Sequence, residues 1–243
     1  MMTHRSAGES HPFNLFGGIL TERWVVVLTL TLIICAAGAI RIRLLDMPLE
    51  RDEGEYAYAG QLLLRGIPPY ELAYNMKLPG TYAAYAVIMA VMGESVRAIH
   101  AGLLLVNCAL ILMVYLLGKR LFGLICGIVA AGSFAVLSLS HSVLGLAGHA
   151  THFVSLFAAA GALVLLVGFE RNRNTALFCS GIFFGIAYVM KQHGVFFGLF
   201  GALVLLVHQW QQQPRDVSRM VVRALIFSVG MFLPFLVVCI YLA

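Results

Sequence analysis

The chain has 243 residues, of which 61% are hydrophobic and 11% charged, with a mean hydropathy of +0.92. A soluble domain carries roughly 45–50% apolar and about 25% charged residues, so this composition excludes a water-soluble fold, and with it disordered, collagen-like and disulfide-scaffold chains. The net charge of +5 is modest and no aromatic–basic alternation accompanies it, which argues against a nucleic-acid surface and for loop charge that orients a membrane protein. The apolar runs are continuous rather than alternating, which selects helices over a closed barrel. Cys35, Cys108, Cys126, Cys179 and Cys239 all lie inside those runs, none at metal or redox spacing, and read as small buried hydrophobes.

A polar arm, residues 1–23, carries Arg5 and Arg23 and precedes the first apolar run, Trp24–Ile40. No small-residue cleavage site follows that run, so it reads as a retained span and not a signal peptide. Further runs at 98–118, 121–139, 151–169, 175–190, 194–208 and 221–242 approach the roughly 20 residues that a bilayer core of about 30 Å requires. The expectation is an all-α integral membrane module, 24–243, of about seven transmembrane helices.

Between the first two spans, residues 41–97 hold Asp46, Glu50, Asp52, Glu53, Glu55, Glu71 and Glu94, seven of the eleven acids in the chain. The apolar stretch within this loop, 79–92, is short for a crossing and suits a helix lying along the membrane. Loop charge supports that reading. If 79–92 does not cross, Lys119, Arg120, Arg171, Arg173, Arg215, Arg219 and Arg223 share the N-terminal side, and among later loops only Lys191 is left opposite. The basic-loop bias then makes the N-terminus cytoplasmic and the acidic loop external. Arg41 and Arg43 fall on the outer side, which the bias does not explain.

The densest chemical signal is Glu50-Arg51-Asp52-Glu53-Gly54-Glu55-Tyr56, four carboxylates within six positions. One reading is a solvated turn with Asp52 as the N-cap of a surface helix. The other is a reactive acid. Residues 66–80 follow, ending Met76-Lys77-Leu78-Pro79-Gly80, and then the surface helix.

This order of elements resembles the GT-C glycosyltransferases of the protein O-mannosyltransferase and aminoarabinose-transferase type, including the bacterial family-39-like enzymes. In them an acidic pair opens a first external helix, as Asp52-Glu53 does here, and a Lys/His-Pro-Pro-Leu element opens a second, similar to Lys77-Leu78-Pro79-Gly80. Gly118-Lys119-Arg120-Leu121-Phe122-Gly123 looks like their cytoplasmic turn after span two, and Met190-Lys191-Gln192-His193 like the lysine that ends span five. The likeness runs from 24 to 242, a front seven-span module of longer family members. It implies an inverting transferase at the outer face of a bacterial inner (plasma) membrane, using a polyprenyl-phosphate sugar donor. Two departures stand out. Gly148-His149-Ala150-Thr151-His152 offers histidines where the family places an acid, and Met76 replaces the glutamate implicated in metal binding in aminoarabinose transferases.

The residues themselves allow the same chemistry. Asp52 can deprotonate or orient an acceptor hydroxyl. Glu53, the second acid of the pair, is the other catalytic candidate. At a helix start, unpaired N–H groups favour the charge of Asp52, while Glu53 turns about 100° away and, with Glu55, can serve as a solvated companion. Lys77, Lys191 and His193 can hold the donor phosphate, with Lys77 and Lys191 facing one cavity; the bland alternative is interfacial anchoring. His149 and His152, three residues apart, can share a helix face and orient the acceptor or phosphate, or simply pack at the interface. No third ligand in the sequence supports a divalent metal there, and no cofactor is identified. Tyr56, Tyr58, Tyr70, Tyr74, Tyr82 and Tyr85 read mostly as headgroup-level anchors. Gly181 and Gly185 fit a small-residue packing motif or a dimer face. The competing function is a non-catalytic GT-C-like subunit or scaffold in a larger membrane complex; a transporter lacks the charged or broken midplane segments it would need.

Overall fold

A computed structural model describes residues 23–212, 214 and 216–243, so the expected N-terminal arm up to residue 22, Gln213 and Arg215 lie outside the described residues, and Arg23 opens the first helix. Nine α-helices make up the described chain: α1 Arg23–Arg43, α2 Arg51–Leu64, α3 Gly80–Met92, α4 Val96–Phe122, α5 Leu124–Leu137, α6 Ala150–Glu170, α7 Asn174–Met190, α8 Val195–Gln211 and α9 Val217–Leu242. Short 3₁₀ turns stand at His141–Val143 and Gln192–Gly194.

Five helical segments are long and apolar enough to cross a membrane: Arg23–Arg43, Val96–Phe122, Ala150–Glu170, Gln192–Gln211 and Val217–Leu242. The seven-span expectation is therefore met only in part. Of the other two expected spans, the 14-residue α5 rises about 21 Å and the 17-residue α7 about 26 Å, both under a core of about 30 Å. The 13-residue α3 is shorter still, about 20 Å.

Packing runs opposite to a soluble protein. Large apolar side chains such as Leu32, Phe200, Phe232 and Ile240 point outward, while the helix contacts combine buried apolar and aromatic side chains such as Leu110, Phe184 and Phe227 with alanines, glycines and a few polar residues. Gly181 and Gly185 receive the backbone of α9 at Phe227–Met231, so this motif serves an internal contact. Gly123, at φ 95°, closes the turn between α4 and α5; a side chain there would meet left-handed strain. Two clusters result: Leu30, Ala37, Ile111, Tyr115, Ala131 and Ala135 join α1, α4 and α5, while a larger one unites α2, α3 and α6–α9.

Arg41 explains itself here. It is buried at the end of α1 and donates to Asn107 Oδ1 (3.1 Å), Ser138 O (2.7 Å) and Gly145 O (2.9 Å). Its charge clasps α1, α4 and the 138–149 loop, and does not sit in a solvated outer loop.

A carboxylate–lysine–histidine cluster at one end of the bundle

Helix α2 begins two residues before the expected cap. Glu50, not Asp52, is the N-cap: its side chain accepts from Asp52 N (2.8 Å), and Glu53 Oε2 accepts from Glu50 N (2.9 Å), a reciprocal capping box. That box fixes the rotation of the helix, and the acids separate accordingly.

Glu53 turns into the core and is fully buried, which corrects its expected role as a solvated companion. Its Oε1 accepts from the backbone N–H of Gly148 and lies 3.3 Å from His100 Nε2 on α4. The other ring nitrogen of His100 is 2.9 Å from Leu45 O. An imidazolium presents a donor to both acceptors, so the geometry fits a buried ion pair. Burial alone would raise the Glu53 pKa, but His100 and the N–H groups of Glu50 and Gly148 offset it and hold the carboxyl below its ordinary value. Gly148 has to be glycine: a Cβ there would stand 2.9 Å from Glu53 Oε1 and closer still to the Tyr85 hydroxyl.

Asp52 and Glu55 face the opposite way and share Lys77. Lys77 Nζ lies 3.4 Å from Asp52 Oδ2 and 3.2 Å from Glu55 Oε2, with all three side chains about a quarter to a third exposed. Beneath it the Tyr56 ring is 4.7 Å away, a cation–π contact. Burial works against the ammonium, yet Glu55 and Tyr56 more than compensate and raise its pKa. Glu55 also accepts from Tyr82 Oη (3.2 Å) and from Asn75 Nδ2.

The segment carrying Lys77 is held under strain. Tyr70 has φ 74°, an outlier for an aromatic residue, and its hydroxyl donates to Lys77 O (2.7 Å). Such a conformation costs roughly 1–3 kcal/mol and persists where the surroundings enforce it. Tyr56, Tyr82 and Tyr85 are buried in one aromatic cluster, with Tyr56 5.5 Å from Tyr85, and are not anchors as a belt would require. Only Tyr58 and Tyr74 among the six are well exposed.

The two histidines part company. His149 caps the start of α6 outside the helix, with Nε2 3.4 Å from Glu50 Oε2 and Nδ1 3.8 Å from Asp52 Oδ2. His152 instead lines a separate cavity of about 180 Å³ with Ser138, Gly145 and Ser155. They do not form the shared face expected of them. A different donor set replaces it: Glu50, Asp52 and His149 each bring one ligand atom within 4.8 Å of the others, a carboxylate–imidazole set suited to a divalent cation. Met76 is 85% exposed and takes no part.

Lys191 and His193 follow α7 at the same end of the bundle. Gln192 Nε2 donates to Met76 O (2.7 Å), and Thr81 Oγ1 to Met190 O (2.8 Å), so the segments of Lys77 and Lys191 meet. The two lysines are joined through these neighbours. Lys191 forms no ion pair among the described residues, whereas Lys77 is fully engaged. Sequence reasoning did not single out His100, and it gave Glu50, Glu55 and Tyr70 no role beyond solvated acids and an anchor; their contacts come from the rotation of α2 and from segments distant in the chain.

A family model for the dolichyl-phosphate-mannose-protein mannosyltransferases matches residues 77–238, about two thirds of the chain, starting at Lys77. Neither the curated proteins nor the solved structures give a match.

Proposed function

The chain belongs to the dolichyl-phosphate-mannose-protein mannosyltransferase family, of GT-C glycosyltransferase type, and we propose that it transfers a sugar from a polyprenyl-phosphate donor to an acceptor hydroxyl at the outer membrane face. The observation that carries this reading is the lysine held between two partly exposed carboxylates at the rim of an apolar bundle. Transfer from a lipid phosphate needs an acid–base group, positive charge for the leaving phosphate and access from lipid.

Asp52 is assigned as the acceptor base, since a carboxylate within hydrogen-bond reach of a hydroxyl takes its proton as the glycosidic carbon is attacked. The hydroxyl oxygen forms the new bond, the bond to the donor phosphate breaks, and the phosphate leaves with its electron pair. Lys77 is assigned to that phosphate, with Lys191 and His193 on the adjoining segment as its second contact. Glu55 positions Lys77, and His149 orients Asp52. Three carboxylates against one lysine leave an excess of negative charge beside an anionic leaving group. Glu50, Asp52 and His149 would hold a divalent cation, which supplies the compensating positive charge.

The test is Asp52→Asn beside Glu53→Gln and Glu55→Gln, assayed with purified protein and lipid-linked sugars. Loss of transfer by about 10²-fold or more in a folded Asp52→Asn is expected. Retained transfer in that variant removes the base. No transfer by the wild type over a broad donor panel supports the non-catalytic subunit instead.

A further inference from the structure

At the far end of the bundle, about one helix length from the acidic cluster, lies a second polar site. A cavity of about 420 Å³ opens between the C-terminal ends of α6 and α8 and the start of α9, lined by Phe169, His208, Gln209, Asp216, Arg219 and Arg223. Two of its side chains are more than nine-tenths buried and incompletely used. Arg223 Nη2 and Gln209 Nε2 have no hydrogen-bond partner among the described residues.

Unsatisfied buried donors are costly, about 1–3 kcal/mol each and more for a charged group, so a site that keeps two of them is built for an acceptor. The guanidinium is also held in place: Arg223 Nε donates to Asn174 Oδ1 (3.2 Å), which leaves Nη2 without a partner in a residue that lines the cavity. His208 is fixed by stacking on Phe169 at 4.0 Å and by Gln212 Nε2 at 3.3 Å. Arg219 stands exposed at the rim. The single acid in the lining, Asp216, is engaged as the N-cap of α9 through Arg219 N (3.0 Å), and against it Arg219 and Arg223 leave the lining net positive.

We propose that this cavity binds the phosphate of a phosphate ester, held by Arg223 and Gln209 within and Arg219 at the rim. Its volume falls in the range of small-molecule pockets, about 300–1,000 Å³, and accommodates the esterified group together with the phosphate. At the same α8–α9 junction an open apolar groove of about 310 Å³ runs along Leu206, Val207, Trp210 and Met220. A lipid would lay a chain there with its phosphate in the cavity, whereas a soluble phosphate would use the cavity alone. The site uses none of the residues assigned to sugar transfer, so it stands or falls separately from that assignment.

The chain has two tryptophans, and Trp24→Phe leaves Trp210 beside the groove as the sole reporter. Emission of the full chain in micelles is titrated with dioctanoyl phosphatidic acid, with dioctanoylglycerol and with sodium phosphate at constant ionic strength. The expected result is saturable binding of phosphatidic acid, none of dioctanoylglycerol, and at least tenfold weaker binding in Arg219→Gln and Arg223→Gln. Arg219 is exposed, so its variant folds even if Arg223→Gln does not. Saturation by inorganic phosphate with the same arginine dependence keeps the anion site and assigns it to a soluble ester. Equal response to dioctanoylglycerol, or variants that bind like the parent, overturns the proposal.

Discussion

Glu53→Gln is expected to damage the protein's stability far more than Asp52→Asn, although the two acids are neighbours. The glutamate is fully buried and accepts two backbone N–H groups, from Glu50 and Gly148, while facing His100 at 3.3 Å. An amide of the same size has one acceptor oxygen, so its NH₂ must oppose one of those N–H groups, and the imidazolium loses its counter-charge. One charged hydrogen bond is worth about 1.5–3 kcal/mol, and a broken buried pair costs about 3–5 kcal/mol. A loss of about 2–4 kcal/mol is expected for Glu53→Gln. For a chain of this size that lowers the unfolding midpoint by roughly 4–16 °C.

Thermal unfolding of the purified protein in detergent measures it, beside Asp52→Asn, which should stay within about 1 kcal/mol of the parent because its carboxylate and Lys77 are both partly solvated. The double variant Glu53→Gln/His100→Asn should lose less than the sum of the two singles, since one removes the charge that the other strands. A Glu53→Gln protein that melts with the parent but no longer transfers sugar would make Glu53 the reactive acid and refute the assignment.

Three further outcomes follow from the same geometry. Lys77→Gln should lower transfer by about 10²–10³-fold while costing no more than about 1 kcal/mol of stability, because its two ion pairs are partly solvated; an unchanged rate removes the phosphate contact. Because folding lowers the Glu53 carboxyl below its ordinary 4.5, its stabilising contribution is complete above that pH and is lost as pH falls through the folded value; acid unfolding curves should therefore be shallower in Glu53→Gln than in the parent. Chelation should depress transfer and a divalent salt restore it, with Glu50→Gln shifting half-restoration to higher metal; activity indifferent to chelator dissociates Glu50, Asp52 and His149 from any cation.

How much of this was legible in the residues differs by level. Composition and run length gave the membrane class and the positions of the apolar helices. Five of the seven expected spans are long helices, while α5 and α7 are shorter, α5 opening at Gly123 and α7 running between Arg173 and Lys191. Asp52 was legible as one of four clustered acids and Lys77 as a lone lysine near prolines. Their contact across 25 residues was not, since it depends on the loop that strained Tyr70 holds. Arg41 looked like a misplaced loop charge because sequence shows the cost of burying a guanidinium and not the three acceptors waiting for it. His149 and His152 looked like a pair through helical spacing; the helix starts between them, at Ala150, and the spacing argument lapses.

The adjacency of Asp52 and Glu53 itself decides what each can do. Successive residues on a helix point about 100° apart, so two neighbouring acids cannot both face one cleft. Whichever is fixed to the core sets the direction of the other. Here the capping box, Gly148 and His100 all hold Glu53, and none of them touches Asp52 except through the backbone N–H that Glu50 accepts. The buried acid is thus the rivet that ties α2 to α4 and to the turn before α6, and the same rivet brings His149 to the side of Asp52. A change at Gly148 should for this reason disturb Asp52 without touching it. Gly148→Ala would push on Glu53 Oε1 and the Tyr85 hydroxyl, and the shift is expected to reach Asp52, one residue along the helix.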